Sequence, residues 1–402
     1  MPQQLTHSQL IETANKFATP LYVYDADNIT RQYKKLTTAF AQTNTKFFYA
    51  CKALTNINIL KHINAIGCSV DCSSINEVRM ALLAGFEPTN ILYTSNGIDF
   101  TEIEDAKNLG VHINIDSLSN LEKFGKKFGH TYPVGLRIRP NIMAGGNLKI
   151  STGHDKSKFG IPVDDISKIL AIVDEHNMHI QNLHLHTGSD IYNVDVFVKG
   201  IDVLFDIIPH FTELTSIDLG GGFKVPYQQG DEETDITLLA QKVNEAFANH
   251  PNPNGKPLQV WFEPGKFLVS AAGYLVTQVN VMKQTSSTVF VGINSGFNHL
   301  IRPMFYDAFH QIENISNPTG ELKEYTVTGN ICETDTFATD RNIAEVREGD
   351  YLVFYNAGAY GFEMSSNFNS RLKPAEVMIQ NGEAKLIRQR DVFEDLLRNQ
   401  IL

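Results

Sequence analysis

Short apolar segments recur along the first two thirds of the chain, and stretches of helix length separate them. Eight such segments precede residue 265, at residues 46–50, 68–72, 90–94, 111–115, 134–139, 180–186, 216–220 and 259–263. Nearly continuous apolar strands that alternate with helices are typical of a parallel sheet covered on both faces. Eight of them in succession predict an α/β fold with an N-terminal (β/α)₈ TIM-like barrel, and an open doubly wound sheet is the alternative.

The pattern changes after about residue 275. Segments such as EYTVTGNIC (324–332) and AEVMIQNGEAKLIRQR (375–390) alternate apolar and polar residues and contain Gly or Asn-Gly turns. This alternation is typical of antiparallel strands joined by tight turns. We therefore predict a barrel over residues 25–274 and a C-terminal antiparallel β domain over residues 275–402, which the N-terminal residues 1–24 join.

Composition and charge exclude several classes of partner. The 402 residues include 34 Lys and Arg against 45 Asp and Glu, a net charge of −11, and no local basic patch offsets it. A phosphate backbone would repel such a chain, so we do not expect nucleic acid as a partner. There is no apolar run of 18 residues, so we expect no membrane partner. The four cysteines form no C-x-x-C pair, so we expect free thiols and a cytoplasmic protein.

Residues at the ends of the predicted strands carry the chemistry, because the active site of a barrel lies at the C-terminal ends of its strands. Lys52 follows the first segment, Gly220–Gly222 follow SIDL, and Glu263 ends the eighth segment. Three consecutive glycines let backbone N–H groups surround an anion such as a phosphate, although a tight turn without a ligand is the alternative. The triplet is not part of a P-loop or a dinucleotide-binding sequence, which ranks ATP and NAD lower.

A lysine and a phosphate site at one barrel mouth together suggest pyridoxal 5′-phosphate (PLP). Desolvation would lower the pKa of Lys52 and favour the neutral amine that forms a Schiff base, whereas a surface lysine is the alternative. Glu263 would then pair with the pyridinium nitrogen, His186 would stack on the ring and Ser189 would reach the phosphate. His184 and His186 also form an H-x-H pair, so a metal-dependent barrel hydrolase remains the rival interpretation.

Eight motifs, in order along nearly the whole chain, resemble one enzyme family. They are YACKA (49–53), ISTGHDKSKFG (150–160), HLHTGSD (184–190), DLGGGF (218–223), EPGKF (263–267), NHLIRPMFYDA (298–308), CETDTFA (332–338) and NAGAYGFEMSSNFNSRLKPAEV (356–377). The family is that of the fold-type III PLP-dependent decarboxylases, the class-II Orn/Lys/Arg decarboxylases, and within it the diaminopimelate decarboxylases are most similar. The resemblance implies a carboxy-lyase that converts meso-2,6-diaminopimelate to L-lysine and CO₂, the last step of lysine biosynthesis.

The resemblance also implies roles for individual residues. Lys52 would bind the cofactor covalently and Cys332 would return a proton to the decarboxylated carbon, which makes these two the catalytic residues. The other cofactor-binding residues would be Asp71, His186, Ser189, Gly221, Gly222, Glu263 and Tyr360. The substrate-binding residues would be Lys266, Arg302, Tyr306, Glu333 and Tyr360. The family implies a homodimer in which the CETD segment of one subunit completes the active site of the other, and no metal is expected.

The pairing of Arg302 with Glu333 carries the substrate prediction. Arg302 and Tyr306 would bind the distal carboxylate and Glu333 the distal ammonium, so a second amino-acid head would have both charges matched. Ornithine has no distal carboxylate, so it would leave Arg302 unpaired. Taken alone, Arg302 has a structural ion pair as its alternative, and Cys332 has a buried, inert thiol.

One position near the proposed substrate site departs from the family's usual pattern. Lys266 stands where the family usually has arginine, which replaces a two-pronged donor by a point charge at the substrate-side anion site. Decarboxylases of ornithine, arginine or carboxynorspermidine, an alanine racemase-like enzyme and a non-catalytic PLP-binding protein remain alternatives. Glu263 argues against the racemase, which partners the pyridine nitrogen with arginine, and the presence of both Lys52 and Cys332 argues against a non-catalytic protein.

Overall fold

Two structural units divide the chain. The computed structural model describes residues 5–142, 157–228, 230–249, 252 and 255–401. The barrel unit comprises residues 32–225 and 232–267, and the β unit comprises residues 1–31, 226–231 and 268–402. Among the described residues, no helix is both long and apolar enough to cross a membrane.

Eight parallel strands close the barrel unit. Strand β1 (Leu21–Asp25) belongs to the other unit. In chain order, the barrel strands are β2 (Thr45–Ala50), β3 (Ser69–Cys72), β4 (Ile91–Thr94), β5 (His112–Ile115), β6 (Val134–Arg139), β8 (Ile180–His184), β9 (Ser216–Asp218) and β10 (Gln259–Phe262). A short strand, β7 (Ile161–Pro162), pairs with β6. The spatial order is β5-β4-β3-β2-β10-β9-β8-β6, and β5 pairs with β6 to complete the ring. The predicted barrel is confirmed, and the open doubly wound sheet is excluded.

Polar side chains cap the first turns of helices that follow the barrel strands. The helices are α1 (His7–Phe17), α2 (Ala26–Ala39), α3 (Ile57–Ala65), α4 (Ile75–Leu83), α5 (Phe100–Asn108), α6 (Leu118–Phe128), α7 (Ile166–Glu175), α8 (Asp195–Ile207), α9 (Ile236–Asn249), α10 (Lys266–Val269), α11 (Arg302–Tyr306) and α12 (Phe393–Leu397). Asn56, Ser74, Asp99 and Ser117 accept a backbone N–H in the first turns of α3, α4, α5 and α6. Each cap satisfies a donor that the helix itself leaves without a partner, so each helix begins immediately after it.

A layer of hydrogen-bonded polar side chains fills the middle of the barrel. Asn182 donates to Asn114 at 3.0 Å and accepts from Ser216 at 2.9 Å, and Asn114 donates to Thr94 at 3.0 Å. Gly135 leaves room for this layer, because a Cβ atom there would lie 2.0 Å from Asn114 Oδ1. Since side chains on a strand alternate between its two faces, the residues two positions further along these strands also point inward.

The β unit contains a nine-stranded sheet. Besides β1, its strands are β11 (Gly273–Gln284), β12 (Val289–Ile293), β13 (Ile312–Asn314), β14 (Leu322–Thr328), β15 (Thr336–Ala344), β16 (Tyr351–Phe354), β17 (Ala375–Gln380) and β18 (Glu383–Arg388). The main order is β15-β14-β12-β11-β1-β17-β18, and β16 pairs with β11 and β13. Most pairs are antiparallel as predicted, but β1–β17 and β12–β14 are parallel.

The N-terminal segment lies at the centre of this second sheet. Strand β1 pairs with β11 on one side and with β17 on the other, as expected for PLYVYD. Its apolar side chains belong to a buried cluster with residues of α1, β11, β16 and β17. Asn381 and Gly382, both with positive φ (50° and 81°), form the predicted Asn-Gly turn between β17 and β18.

Candidate active site

A buried layer of charged side chains lies at the C-terminal ends of the barrel strands. The strand register places Arg137 beside His184 and His184 beside Asp218, one step beyond the polar layer in the middle of the barrel. Asp71 occupies the same end of β3, and Glu263 directly follows β10. All five side chains are buried. The strands therefore concentrate acids, a base and an imidazole at one end of the barrel, as the strand-end argument predicted.

Lys52 lies beside this layer in a single 3-10 turn, and its side chain is exposed, as in the surface-lysine alternative. The turn covers Cys51–Ala53 immediately after β2, so the lysine lies just beyond the predicted end of its strand. Its positive charge acts on the neighbouring side chains Asp71, Glu263, His184 and His186. The structure therefore brings Lys52, Asp71 and Glu263 together, as the sequence predicted.

Glu263 is held by the backbone of the glycine segment and faces His184. Its backbone N–H donates to the carbonyl of Gly220 at 2.8 Å. Its Oε1 atom lies 3.4 Å from His184 Nε2, which is long for a hydrogen bond. Asp218 uses Oδ1 to accept the N–H of Gly220 at 2.8 Å, while its Oδ2 is buried without a hydrogen-bond partner among the described residues. The layer thus contains buried oxygens that can still accept a proton or a donor.

The three carboxyl groups of this layer do not titrate alike. Burial raises the pKa of Asp71 and of Asp218 well above the usual value, and the negative charge of Glu263 raises both further. Burial would also raise the pKa of Glu263, but His184 and the charge of Lys52 stabilise its carboxylate and hold the pKa below the usual value. Glu263 is therefore the first of the three to lose its proton.

The glycine segment after β9 forms a cradle that a side chain would fill. A Cβ atom on Gly221 would lie 2.1 Å from the carbonyl oxygen of Glu263, and one on Gly222 would lie 2.2 Å from that of Gly188. Gly222 also has a φ of 94°, a conformation that favours glycine. Ser189 directly follows Gly188 in the same loop. These contacts explain why the segment consists of glycines, because any side chain at 221 or 222 would overlap the backbone of a neighbouring segment.

His186 lies beside this cradle as a neutral imidazole. Its Nδ1 atom accepts the backbone N–H of Gly221 at 3.3 Å, so its ring proton is on Nε2. Burial and the charges of Arg137 and Lys52 lower the pKa of His186 to about 3. The ring is therefore uncharged at neutral pH, and it lies past the end of β8 instead of within the strand, because the strand ends at His184.

Lys266 contacts the same loop. Its Nζ atom donates to Asp190 Oδ1, next to Ser189, and its side chain is buried. Asp190 has a φ of 59°, so the loop after His186 turns sharply to present this carboxylate. The residue that differs from the family pattern is thus paired with an acid of the predicted phosphate-binding loop.

The barrel residues fit a phosphate-bearing pyridine aldehyde. The backbone cradle suits an anion, Lys52 is an amine beside it, Glu263 is a buried carboxylate, and His186 is a neutral ring.

The metal interpretation predicted that His184 and His186 act as a pair. Among the described residues, the ligand atoms of His184 instead cluster with Asp218 and Glu263, within 4.8 Å of one another, and the cluster does not include His186.

Arg302 is buried in the β unit and has aromatic partners. Its Nη1 atom donates to Tyr227 Oη at 2.8 Å and lies 3.5 Å from His310 Nε2. Its Nε is buried without a hydrogen-bond partner among the described residues, and no described carboxylate forms an ion pair with it. Tyr306 ends the same short helix, α11, and is partly buried. The structural ion pair considered from the sequence is therefore not what holds Arg302.

Cys332 and Glu333 are exposed on the loop between β14 and β15. Asp335 shapes this loop by accepting the backbone N–H groups of Phe297 at 2.7 Å and of Ile331 at 3.1 Å. The N–H of Cys332 donates to Asn369 Oδ1 at 2.9 Å. The thiol is therefore accessible, in contrast to the buried, inert thiol considered as its alternative.

Tyr360 has an unusual backbone for a side chain of its size. Its φ is 56°, in the left-handed region, and it lies between the buried residue Ala359 and Gly361. A bulky residue held in this conformation is uncommon and is concentrated at functional sites. This backbone conformation is a physical indication of a functional role for Tyr360, which the sequence indicated only through the resemblance.

Three residues of these sites have no predicted role. Arg137, Asp218 and Tyr227 are not among the predicted site residues, yet the first two complete the charged layer and the third binds Arg302. The alternation of side chains along a strand could have indicated two of them. Arg137 and Asp218 each lie two residues after an inward-facing residue, so each also points into the barrel. Of the motif ISTGHDKSKFG, residues 150–156 lie outside the described residues. Its Phe159 ring lies 4.7 Å from the Arg137 guanidinium.

Comparison with known proteins agrees with this geometry. Residues 26–270 match the family described as "Pyridoxal-dependent decarboxylase, pyridoxal binding domain", so the barrel is of the pyridoxal-dependent decarboxylase class. The diaminopimelate decarboxylase of Methanothermobacter thermautotrophicus is 37% identical over 401 residues, which cover 97% of this chain and 93% of that protein. The Escherichia coli K12 enzyme of the same name is 35% identical over 99% of this chain and 97% of its own length.

Solved structures are similar over the same length. A crystal structure of diaminopimelate decarboxylase has a TM-score of 0.92 and 34% identity, and covers 100% of this chain and 98% of its own. The Helicobacter pylori enzyme of that name, complexed with L-lysine, has a TM-score of 0.89 and 30% identity over 97% and 98% of the two chains. The chain therefore belongs to the diaminopimelate decarboxylase family. The predicted family, carboxy-lyase class and PLP cofactor are confirmed.

Proposed function

We propose that this protein removes one carboxylate of meso-2,6-diaminopimelate and releases L-lysine and CO₂, the last step of lysine biosynthesis. The observation that carries the proposal is the joint presence of Lys52, Glu263 and the glycine cradle in a chain similar to diaminopimelate decarboxylases over its full length. One relative of known structure has L-lysine, the expected product, bound to it. The substrate is thus an amino acid with a second amino-acid head.

The barrel residues hold the cofactor. Lys52 binds it covalently, and Gly221, Gly222 and Ser189 bind its phosphate. His186 packs against its ring as an uncharged imidazole, and Asp71 lies near Lys52. An electron sink for the pair left behind by CO₂ is the chemistry that PLP supplies when bound.

Glu263 keeps a proton at the pyridine nitrogen. Its pKa is held below the usual value, so the side chain is a carboxylate that stabilises a positive N–H opposite it. His184 faces the carboxylate of Glu263, and the carbonyl of Gly220 holds the backbone of the same residue. A carboxylate in this position favours decarboxylation because it strengthens the electron demand of the ring.

The remaining residues bind the substrate and complete the reaction. Arg302 and Tyr306 bind the distal carboxylate, Glu333 binds the distal ammonium, and Lys266 and Tyr360 contribute to the same binding. The bond from the α-carbon to the carboxylate breaks, CO₂ leaves, and the thiol of Cys332 gives its proton to that carbon. The exposure of Cys332 supports this role, because a proton donor must reach the substrate.

We also propose that the protein is a homodimer in the cytoplasm. Its barrel domain covers residues 25–274, and its β domain covers residues 275–402 with residues 1–24. The CETD segment of one subunit contributes Cys332 and Glu333 to the other subunit's site. Mixed dimers test this arrangement, since a dimer of one Lys52→Ala and one Cys332→Ala subunit contains one intact combination. Random mixing would then restore about a quarter of wild-type activity from two inactive parents. Absence of restored activity in dimers shown to have mixed would contradict a shared site.

The decisive experiment measures CO₂ release with single substrates. The PLP-loaded protein is supplied separately with meso-diaminopimelate, LL-diaminopimelate, ornithine, lysine and arginine, and the amine product is identified each time. We expect L-lysine in equal amount to CO₂ from the meso isomer. Turnover of ornithine or arginine in its place would retain the chemistry but overturn the roles of Arg302 and Glu333. No turnover of any of them would contradict the proposed function.

A further inference from the structure

Three metal-ligand side chains converge at the opposite end of the barrel from Lys52. His130 lies in a 3-10 turn before β6, His179 directly precedes β8, and Glu213 lies three residues before β9. These strands are neighbours in the order β9-β8-β6. Since parallel strands begin at one end of a barrel and finish at the other, all three residues lie at the N-terminal end of the strands. The cluster is therefore separate from the candidate active site.

The backbone around the cluster is fixed by hydrogen bonds. The carbonyl of His179 accepts the N–H of Val134 at 3.0 Å, which ties β8 to β6. Gln181 accepts the N–H of Thr215 at 2.9 Å, which ties the segment after Glu213 to β8. The three side chains thus project from segments whose spacing the sheet determines, and their meeting does not depend on a long loop.

The side-chain atoms are close enough to share one ion. Glu213 Oε2 lies 3.8 Å from His130 Nδ1, and Glu213 Oε1 lies 3.9 Å from His179 Nε2. One ligand atom from each of the three residues can be chosen so that all lie within 4.8 Å of one another. Tetrahedral Zn²⁺ with bonds of about 2.0–2.2 Å separates its ligand atoms by about 3.3–3.6 Å. Side-chain rotations that move these atoms by about 1 Å would therefore bring them to bonding distance.

The exposure of the side chains permits that rotation and leaves room for water. The side chains of His130, Glu213 and His179 are 52%, 42% and 27% exposed. The two imidazole rings are stacked, with centroids 5.3 Å apart and planes at 19°. Each ring has a nitrogen atom facing Glu213, so both rings can offer a lone pair to one shared cation.

We propose that His130, His179 and Glu213 form a binding site for a divalent transition-metal ion such as Zn²⁺. Two nitrogens and one carboxylate oxygen are ligands that this class of ion prefers, and solvent occupies the remaining position. Ca²⁺ and Mg²⁺ prefer all-oxygen sites, so they bind more weakly here. The site lies far along the strands from Lys52, and the proposal does not depend on the proposed function.

Metal titration of the full-length holoenzyme tests the site. The tag-free, chelator-treated protein is titrated with Zn²⁺ in a calorimeter, and with Co²⁺ while its visible absorbance is recorded. We expect one equivalent of metal per chain and a melting temperature that rises with Zn²⁺ concentration. Bound Co²⁺ should give visible absorbance bands typical of a low coordination number. We expect His179→Ala and Glu213→Gln each to weaken Zn²⁺ binding at least tenfold. The visible absorbance of the PLP-loaded protein should stay unchanged in both variants.

The control is His210→Ala, which removes an exposed histidine of the same barrel unit that is not in the cluster. It should bind Zn²⁺ as the wild type does. Failure of the wild type to bind one equivalent would overturn the proposal. Equal binding by His179→Ala, Glu213→Gln and the wild type would also overturn it, because the metal would then be held elsewhere, for example by His184, Asp218 and Glu263.

Discussion

Lys266 donates from Nζ to Asp190 Oδ1, so the cation predicted to bind the substrate is anchored to the loop that carries Ser189. Only 9% of the lysine side chain is exposed, against 32% of its partner. A buried cation that already has one carboxylate partner keeps its position and retains donors for a second anion, because an ammonium has three N–H groups. The substitution of lysine for the family's usual arginine is thus accompanied by an acid that orients it.

We expect Lys266→Ala to raise the KM for diaminopimelate tenfold to a hundredfold, with a smaller change in kcat. The reason is the loss of one charge-assisted hydrogen bond, worth about 1.5–3 kcal/mol. Lys266→Arg keeps the charge and should change KM by less than about threefold. Lys168→Ala is the control, since Lys168 forms an exposed ion pair with Asp165. Equal KM values for Lys266→Ala and the wild type would show that this side chain does not bind the substrate.

Lys52→Ala should remove the visible absorbance that a lysine-bound PLP gives, and with it all CO₂ release. Lys46→Ala is the matched control, because Lys46 lies near the other end of the same strand, β2, and donates to the carbonyl of Thr89 at 3.0 Å. It should keep the absorbance and most of the activity. An absorbance spectrum unchanged by Lys52→Ala would contradict the assignment of Lys52 as the attachment site.

Gly222→Ala should weaken PLP binding and destabilise the protein by several kcal/mol, since a Cβ atom would lie 2.2 Å from the carbonyl oxygen of Gly188. Gly67→Ala separates backbone strain from this clash. Gly67 has a φ of 82° but no atom within 4 Å of a built Cβ, so its substitution should cost only about 1 kcal/mol. Dialysis-resistant PLP content and melting temperature measure both effects. If the two variants behaved alike, steric closure of the cradle would not be the cause.

Acidification should destabilise the protein partly through His310. Burial and the charge of Arg302 lower its pKa to about 3, below the value of about 6.5 in an unfolded chain. The unfolded state therefore binds a proton first, so the stability that the neutral ring contributes is complete above about pH 6.5 and is lost as the pH falls toward 3. At pH 5 the loss amounts to about 2 kcal/mol.

His310→Gln should abolish this part of the acid sensitivity. Its unfolding midpoint would then change less between pH 8 and pH 5 than that of the wild type, whatever its stability at pH 8. His210→Gln, at an exposed position, serves as the control and should retain the full change. The same acid loss in His310→Gln as in the wild type would assign the effect to other buried groups, such as His299, whose pKa is lowered to about 4.

The sequence predicted the barrel well because its strands are short, apolar and separated by complete helices. Lys52 and Glu263 could be selected for the same reason, since each directly follows such a strand. The positions of Arg137 and Asp218 depend on which strand faces are inward and on the register between neighbours, which periodicity in one short strand does not determine. The parallel pairs of the β unit were missed because they join segments that are distant in sequence.

Convergence of residues from separate turns was the hardest feature to predict. His130, His179 and Glu213 carry no common motif, and only the β9-β8-β6 order brings them together. Likewise, Tyr227 lies in a loop without a recognisable pattern, and its contact with Arg302 depends on the packing of the β unit. In contrast, the loop with Cys332 was located through a motif, and the structure supplied its exposure.

The central position of β1 sets an order of events during synthesis. The strand precedes every strand of the barrel in the chain, yet one of its two neighbours, β17, follows all of them, and residues 21–25 pair in parallel with residues 375–379. The second sheet therefore cannot be completed until β17 has been translated, whereas every strand of the barrel is available before that point. A nascent chain released short of β17 would expose an unpaired, apolar edge on β1, and such an edge is a site for aggregation.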